Sequence, residues 1–252
     1  MSEWIFTVIV MAVAGLAVGS FLNVCIFRIP AEKSIVTPPS HCPACGTRLK
    51  TVDLVPVLSY IILKGRCRYC NLPVSPRYAL VESLTAVLFI LVLYRFGIGL
   101  ALLKYLFAVS LFIIIAFIDI DHFIIPNQLV LAGLIAGAVF LSVTGELRAL
   151  DALYGIISSS GFLLVLYIAS RGGMGLGDIK LAAVIGIFLG WPLSLLAVVL
   201  ACCLAGITGS FLIITGRKKR KDRIPFGPFL VAGAFAGFMW GWDLVALYIN
   251  IL

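Results

Sequence analysis

Charge is what this chain has least of. Of its 252 residues only 12% are Asp, Glu, Lys or Arg, about half the share typical of soluble domains. Hydrophobic residues make up 62% and the mean hydropathy is +1.17, so a soluble globular protein is excluded and a polytopic membrane protein is implied. Acids number only 11, and each one near an apolar run asks for a role, because an acid in hydrocarbon is expensive. No nucleotide-binding fingerprint occurs, and no repeat relates the two halves. The first apolar run lacks a preceding basic segment and a small-residue cleavage site, so it reads as a retained helix and not a cleaved signal peptide.

Long apolar runs are abundant. A helix needs about 20 such residues to cross the hydrocarbon core, and eight runs approach or meet that length: 4–27, 78–96, 98–118, 127–144, 149–169, 178–191, 193–215 and 227–250. The expected fold is an all-α polytopic membrane protein of about eight transmembrane helices. The sixth run is short, lying between Asp178 and Pro192, which predicts a tilted, re-entrant or half-depth helix.

Lys and Arg number 19. The stretch from Arg28 to Arg77 and the run RKKRKDR at 217–223 hold most of them, and with eight spans both fall on one side, together with Arg171 and Lys180. Only Arg95, Lys104 and Arg148 fall on the other. The basic face is therefore expected in the cytoplasm and both termini outside. This placement accounts for the basic excess without a nucleic-acid partner. RKKRKDR reads as a solvated, topogenic loop within reach of anionic lipid headgroups.

Four of the seven cysteines form CPAC at 42–45 and CRYC at 67–70, with 21 residues between the pairs. Paired C-x-x-C knuckles at this separation place four thiolates around one ion, the tetrahedral sulfur set that Zn²⁺ accepts. The competing reading, two disulfides, conflicts with a loop assigned to the reducing cytoplasm. With Cys42, Cys45, Cys67 and Cys70 all ligands, no coordination position stays open, so the metal is expected to be structural; His41 is not needed. The apolar stretch VDLVPVLSYIILKG between the knuckles predicts that this small domain rests on the membrane surface. Cys25, Cys202 and Cys203 read as small buried hydrophobes.

The acids near spans are Glu82, Asp119, Asp121, Asp178 and Asp243. Helix parity puts Asp119 and Asp121, after the third span, on the same face as Asp178, which opens the sixth. Two carboxylates brought together in a poorly solvated place cannot both ionise easily; one keeps a proton, the other acts as a base, and a water between them becomes a nucleophile. Asp119 and Asp121 stand about 200° apart on a helix, so at most one of them aims at Asp178, and geometry alone does not say which. The glycines of GMGLGD at 173–178, Gly175 and Gly177 among them, would let an extended substrate approach the backbone closely. The plainer alternative makes Asp178 a helix N-cap behind a tight loop. Glu82 is expected in the first turns of the second helix, in a structural role or in contact with substrate. Asp243, beside Trp240 and Trp242, reads as an interfacial residue, and His122 as a surface one.

These residues resemble the type IV prepilin peptidases, membrane aspartic proteases of the Gly-x-Gly-Asp type. The resemblance runs over most of the chain, through GSFLNVCIFRIP (19–30), the two knuckles, SPRYALVE (75–82), FIDIDHFIIPN (117–127), GMGLGDIKL (173–181) and IPFGPFL (224–230). It implies cleavage of type IV prepilin-like or pseudopilin precursors after a glycine that follows a short basic leader, at the cytoplasmic face of the bacterial inner membrane. It also implies Asp119 and Asp178 as the catalytic pair, with Asp121 secondary. Where many members read Pro-Asp, this chain reads Pro126-Asn127, a departure that weakens a catalytic claim for that site and leaves Asp119 and Asp178 untouched. Members with the four-cysteine loop are often bifunctional and methylate the new N-terminal amine with S-adenosylmethionine; that expectation rests on the resemblance alone.

The expected organisation is a first transmembrane helix over 1–28, a cytoplasmic zinc-binding domain over 29–77 and a peptidase core over 78–252. Two other functions compete: a divalent-cation transporter, which would spread its acids through the depth of the membrane, and a noncatalytic scaffold for pilus assembly, which would tolerate loss of either aspartate.

Overall fold

The computed structural model describes residues 2–170, 173–219 and 222–251. Arg171, and Arg220 and Lys221 of the basic run, lie outside the described residues, and with them part of the expected charge on that face. Among the described residues the fold is all-helical, with α1 (Ser2–Arg28), α2 (Leu58–Ile62), α3 (Arg77–Phe96), α4 (Leu100–His122), α5 (Asn127–Thr144), α6 (Ala149–Ala169), α7 (Leu176–Leu189), α8 (Leu193–Ile214) and α9 (Gly227–Ile251). Seven of these, all but α2 and α7, are long and apolar enough to cross a bilayer. The protein is a multi-pass membrane protein with a four-cysteine loop after its first helix.

The chain divides into two compact units, Met1–Leu102 and Leu103–Leu252. In the first, α1 and α3 lie antiparallel, with Trp4 edge-on to Tyr94 at 5.4 Å and Asn23 Nδ2 donating to the Tyr78 carbonyl at 3.1 Å. Glycines let the two backbones meet. A Cβ on Gly15 would lie 2.6 Å from Ala86 Cα, and one on Gly19 would lie 2.7 Å from Glu82 Cα. Small residues at a helix crossing supply the van der Waals contact that replaces hydrophobic driving force inside a bilayer. Buried Arg28 then turns the chain into the loop, donating to the carbonyls of Ser34 at 2.9 Å and Pro38 at 2.6 Å.

The second unit is built around α7. Its 14 residues make a rod about 21 Å long, shorter than the hydrocarbon core of about 30 Å. It packs against α5, α6, α8 and α9, and no residue from Leu181 to Leu189 is exposed. Enclosure by protein is what permits a short helix at membrane depth, since its ends meet other chain segments and not lipid. The closest crossing is with α6, where Gly155 faces Gly186 and Gly190. Buried Ser159 and Ser194 add hydrogen bonds to the carbonyls of Ala182 at 2.9 Å and Gly155 at 3.1 Å.

α4 runs four residues beyond the expected end of the third span, through Asp119 and Asp121 to His122. The drop in hydropathy marks where side chains turn polar, whereas the helix stops one turn later. There Phe123 adopts φ 55° and its N–H bonds the Asp119 carbonyl at 2.9 Å.

Candidate active site

Asp119 sits in the last turn of α4 and is only 5% exposed. Its Oδ2 accepts the backbone N–H of Gly227, the first residue of α9, at 2.8 Å. Asp121 projects from the other side of the helix and is exposed, as the 200° separation requires. Burial therefore distinguishes two acids that spacing could not.

Asp178 is also buried, at 8%. The N-cap of α7 is Gly175, in extended conformation, so Asp178 is the third helical residue and not the cap. Gly177 lies inside the first turn, not in the preceding loop. The helix begins two residues earlier than the apolar run because glycine and aspartate depress hydropathy without preventing a helical start. A Cβ on Gly177 would come 3.1 Å from Ile125 Cβ, and one on Gly175 would come 3.2 Å from Asp178 Oδ2. Both glycines keep space next to the aspartate, one for the α4–α5 connection and one for the carboxylate itself.

Asp119 and Asp178 line one cavity of about 280 Å³, with Phe123, Ile124, Ile125, Gly175, Leu176, Gly177 and Lys180. The cavity is large enough for water and a short stretch of peptide. Two buried acids brought onto one cavity form a pair that shares a proton more readily than it carries two charges. At the rim, Lys180 Nζ donates to Asn127 Oδ1 at 2.8 Å, so the asparagine after Pro126 ties the start of α5 to α7.

Glu82 lies elsewhere, in the first unit. It is 7% exposed and accepts the N–H of Val57 at 2.7 Å, holding the loop against α3 at a residue with φ 62°. His122 is exposed on the end of α4. The residue that sequence reasoning missed is Gly227. Its motif, IPFGPFL, is one of those that carry the family resemblance, but a backbone amide leaves no mark of its own in a sequence.

The four loop cysteines converge. Their Sγ atoms all lie within 4.8 Å of one another, and Cys42 Sγ stands 3.9 Å from Cys70 Sγ. Four sulfurs at the zinc–thiolate distance stand about 3.8 Å apart, so the donor set fits Zn²⁺. Each knuckle closes in the same way. The N–H of Gly46 bonds the Cys42 carbonyl at 2.9 Å and that of Asn71 bonds the Cys67 carbonyl at 3.0 Å, with φ 69° and 58°. Asp53 clamps the second knuckle from between the pairs, accepting from Arg68 Nε at 2.6 Å and from the Tyr69 hydroxyl at 2.8 Å. The Arg68 guanidinium holds the Asp53 carboxyl below its ordinary range, and Asp53 in turn pushes the Tyr69 phenol up.

Comparison with known proteins follows the same division of the chain. Residues 13–96 match the Bacterial Peptidase A24 N-terminal domain, and residues 106–210 match the Type IV leader peptidase family. The chain is 35% identical over 246 residues to the prepilin leader peptidase/N-methyltransferase of Bacillus subtilis, covering 96% of this chain and 98% of that one. It is 42% identical over 212 residues to the protein of that description from Myxococcus xanthus, covering 81% of this chain and 63% of that one. The Legionella pneumophila relative is 32% identical over 273 residues, covering 97% and 95%. No solved structure matches the chain.

Proposed function

The chain belongs to the type IV leader peptidase family, and from that premise we propose that it cleaves the leader from type IV prepilin-like or pseudopilin precursors, with Asp119 and Asp178 as the catalytic pair. The observation that carries this is the meeting of two buried acids, from α4 and α7, on one cavity. The two carboxylates share a proton. The ionised one takes a proton from water as the water oxygen attacks the carbonyl carbon of the leader glycine. The protonated one supports the tetrahedral intermediate, and the proton then goes to the departing amine. Gly175 and Gly177 keep the backbone beside Asp178 open to an extended substrate.

The site opens at the ends of α4 and α7 where α5 also begins, on the side that the Lys and Arg bias assigns to the cytoplasm of the bacterial inner membrane. The zinc-binding loop, residues 29–77, lies on that side by the same bias and serves as a structural domain. Cys42, Cys45, Cys67 and Cys70 would hold Zn²⁺ as a cross-link between the two knuckles, and the ion takes no part in cleavage.

N-methylation is the second activity we assign, on the strength of the relatives' description as N-methyltransferases; the new N-terminal amine as acceptor and S-adenosylmethionine as donor are what the family resemblance implies. Among the described residues no strand-to-helix cradle of the nucleotide-binding kind is present, and we derive no step through that group.

The test is cleavage of a prepilin substrate by membranes carrying the wild-type chain, Asp119→Asn, Asp178→Asn or Asp121→Asn. The first two substitutions abolish cleavage and the third leaves it intact. Cleavage by both Asp119→Asn and Asp178→Asn would make the pair structural and return the transporter and scaffold functions to consideration.

A further inference from the structure

We infer that Gly227 is a positioning residue for peptide cleavage, acting through its main-chain N–H on Asp119, and that the Phe-Gly-Pro sequence at the start of α9 exists to deliver that one donor. The inference rests on the peptidase function proposed above.

A helix presents up to four N–H groups at its start with no partner inside the helix. In α9 nearly all are accounted for. The N–H groups of Phe229 and Leu230 both bond the Phe226 carbonyl, at 3.0 and 3.1 Å. Pro228 has no N–H to give. What remains in the first turn is the Gly227 amide, and it reaches Asp119 Oδ2 at 2.8 Å. The positive end of a 25-residue helix is thereby directed through a single donor onto a buried carboxylate, an arrangement that favours negative charge there.

The residue has to be glycine. A Cβ at position 227 would stand 2.8 Å from Asp119 Oδ2 and 3.1 Å from both Asp119 Cβ and Cγ. Asp119 is buried in the last turn of α4, and one of the crowded atoms is its Cβ, which no side-chain rotation moves away. Any side chain at 227 would therefore push away the carboxylate that the amide orients. With Oδ2 held by α9, the rest of the carboxylate is fixed in orientation towards the cavity it shares with Asp178.

Among the described residues, the charged and titratable groups around Asp119 within this unit are Asp178 and Lys180 on α7, with Asp121 and His122 following on α4. The Phe123–Pro126 turn and the first turns of α9 bring none. Of these groups Lys180 is the cation that lines the cavity with Asp119, and its Nζ is committed to Asn127 Oδ1 at 2.8 Å.

The experiment replaces the Gly227 amide by an ester, with glycolic acid incorporated at position 227 of the full-length chain; cleavage of the ester by alkali verifies incorporation. The substitution removes the N–H and adds no side chain. On a prepilin substrate, kcat is expected to fall about ten- to a hundredfold while KM stays within about twofold; Gly227→Ala loses more, because it also crowds Asp119. An ester variant with wild-type kcat, or a loss confined to KM, overturns the inference while wild-type cleavage upholds the peptidase function. A second measurement needs no catalysis. Labelling with ¹³C′-Phe and ¹⁵N-Gly selects two amides, Gly97 and Gly227, because only these glycines follow a phenylalanine. The Gly227 amide proton should resonate downfield and move upfield in Asp119→Ala, with Gly97 unmoved. A Gly227 resonance indifferent to that substitution refutes the contact whether or not the protein cleaves.

Discussion

Gly186→Ala places a single methyl group where α7 crosses α6. The added Cβ would lie 2.6 Å from both Cα and N of Ile156 and 2.7 Å from the carbonyl carbon of Gly155. Carbon atoms reach ordinary contact near 3.5 Å, so the helices must separate by about 1 Å, and because the obstacle is backbone no rotamer change relieves it. Overpacking of this kind costs about 1–3 kcal/mol. The larger effect falls on chemistry. Asp178 stands one side of the same short rod, about 12 Å along its axis from Gly186, and α7 can shift only by carrying Asp178 relative to Asp119 on α4. A misplacement of about 1 Å at reacting groups lowers rate about a hundredfold. Steady-state cleavage of a prepilin substrate in nanodiscs reads the rate, and thermal unfolding of the same samples reads stability. Gly206→Ala is the control, since a Cβ there meets nothing within 4 Å, and it should match or slightly exceed wild type in melting temperature with unchanged cleavage. Gly186→Ala cleaving within about threefold of wild type would refute the rigid coupling of α7 to the pair.

Other outcomes follow from the loop. Elemental analysis of purified protein should find one zinc per chain, and Cys42→Ser should lose most of it and become protease-sensitive between the knuckles; metal content unchanged by that substitution would remove Cys42 from the ligand set. Glu82→Ala leaves the Val57 amide without its acceptor, so hydrogen exchange over residues 55–63 should accelerate while cleavage persists. Unaltered exchange there would mean that the contact holds nothing in place. Arg68 lowers the Asp53 carboxyl, so the clamp contributes in full at neutral pH and is lost only as acid titrates it, below about pH 4. Asp53→Asn should therefore loosen the second knuckle equally at pH 6 and pH 8, as read by limited proteolysis, and a difference between the two would contradict the assignment.

Helices and cysteines were legible in the sequence because each leaves a one-dimensional pattern: an apolar run of bilayer length, or two C-x-x-C pairs at ligand spacing. The short sixth run was visible too, although what shelters α7 was not, since enclosure depends on which helices pack around it. Asp119 and Asp121 could not be ranked by spacing, because a helix presents both and only its neighbours decide which is buried. Gly177 looked like loop for a related reason: polar and flexible residues mark where hydropathy ends, and here the helix had already begun. Gly227 was beyond reach, because the group that matters there is common to almost every residue in the chain.

The enclosure of α7 also bears on where such a protein can work. Bilayers differ in thickness, and a helix exposed to lipid answers a mismatch by tilting or by deforming the membrane around it. From Leu181 to Leu189 no residue of α7 is exposed, so the depth of Asp178 is set by α5, α6, α8 and α9 and is insulated from the lipid annulus. The outer helices can lean to suit a thinner or thicker membrane while the helix that carries the aspartate keeps its place among its neighbours.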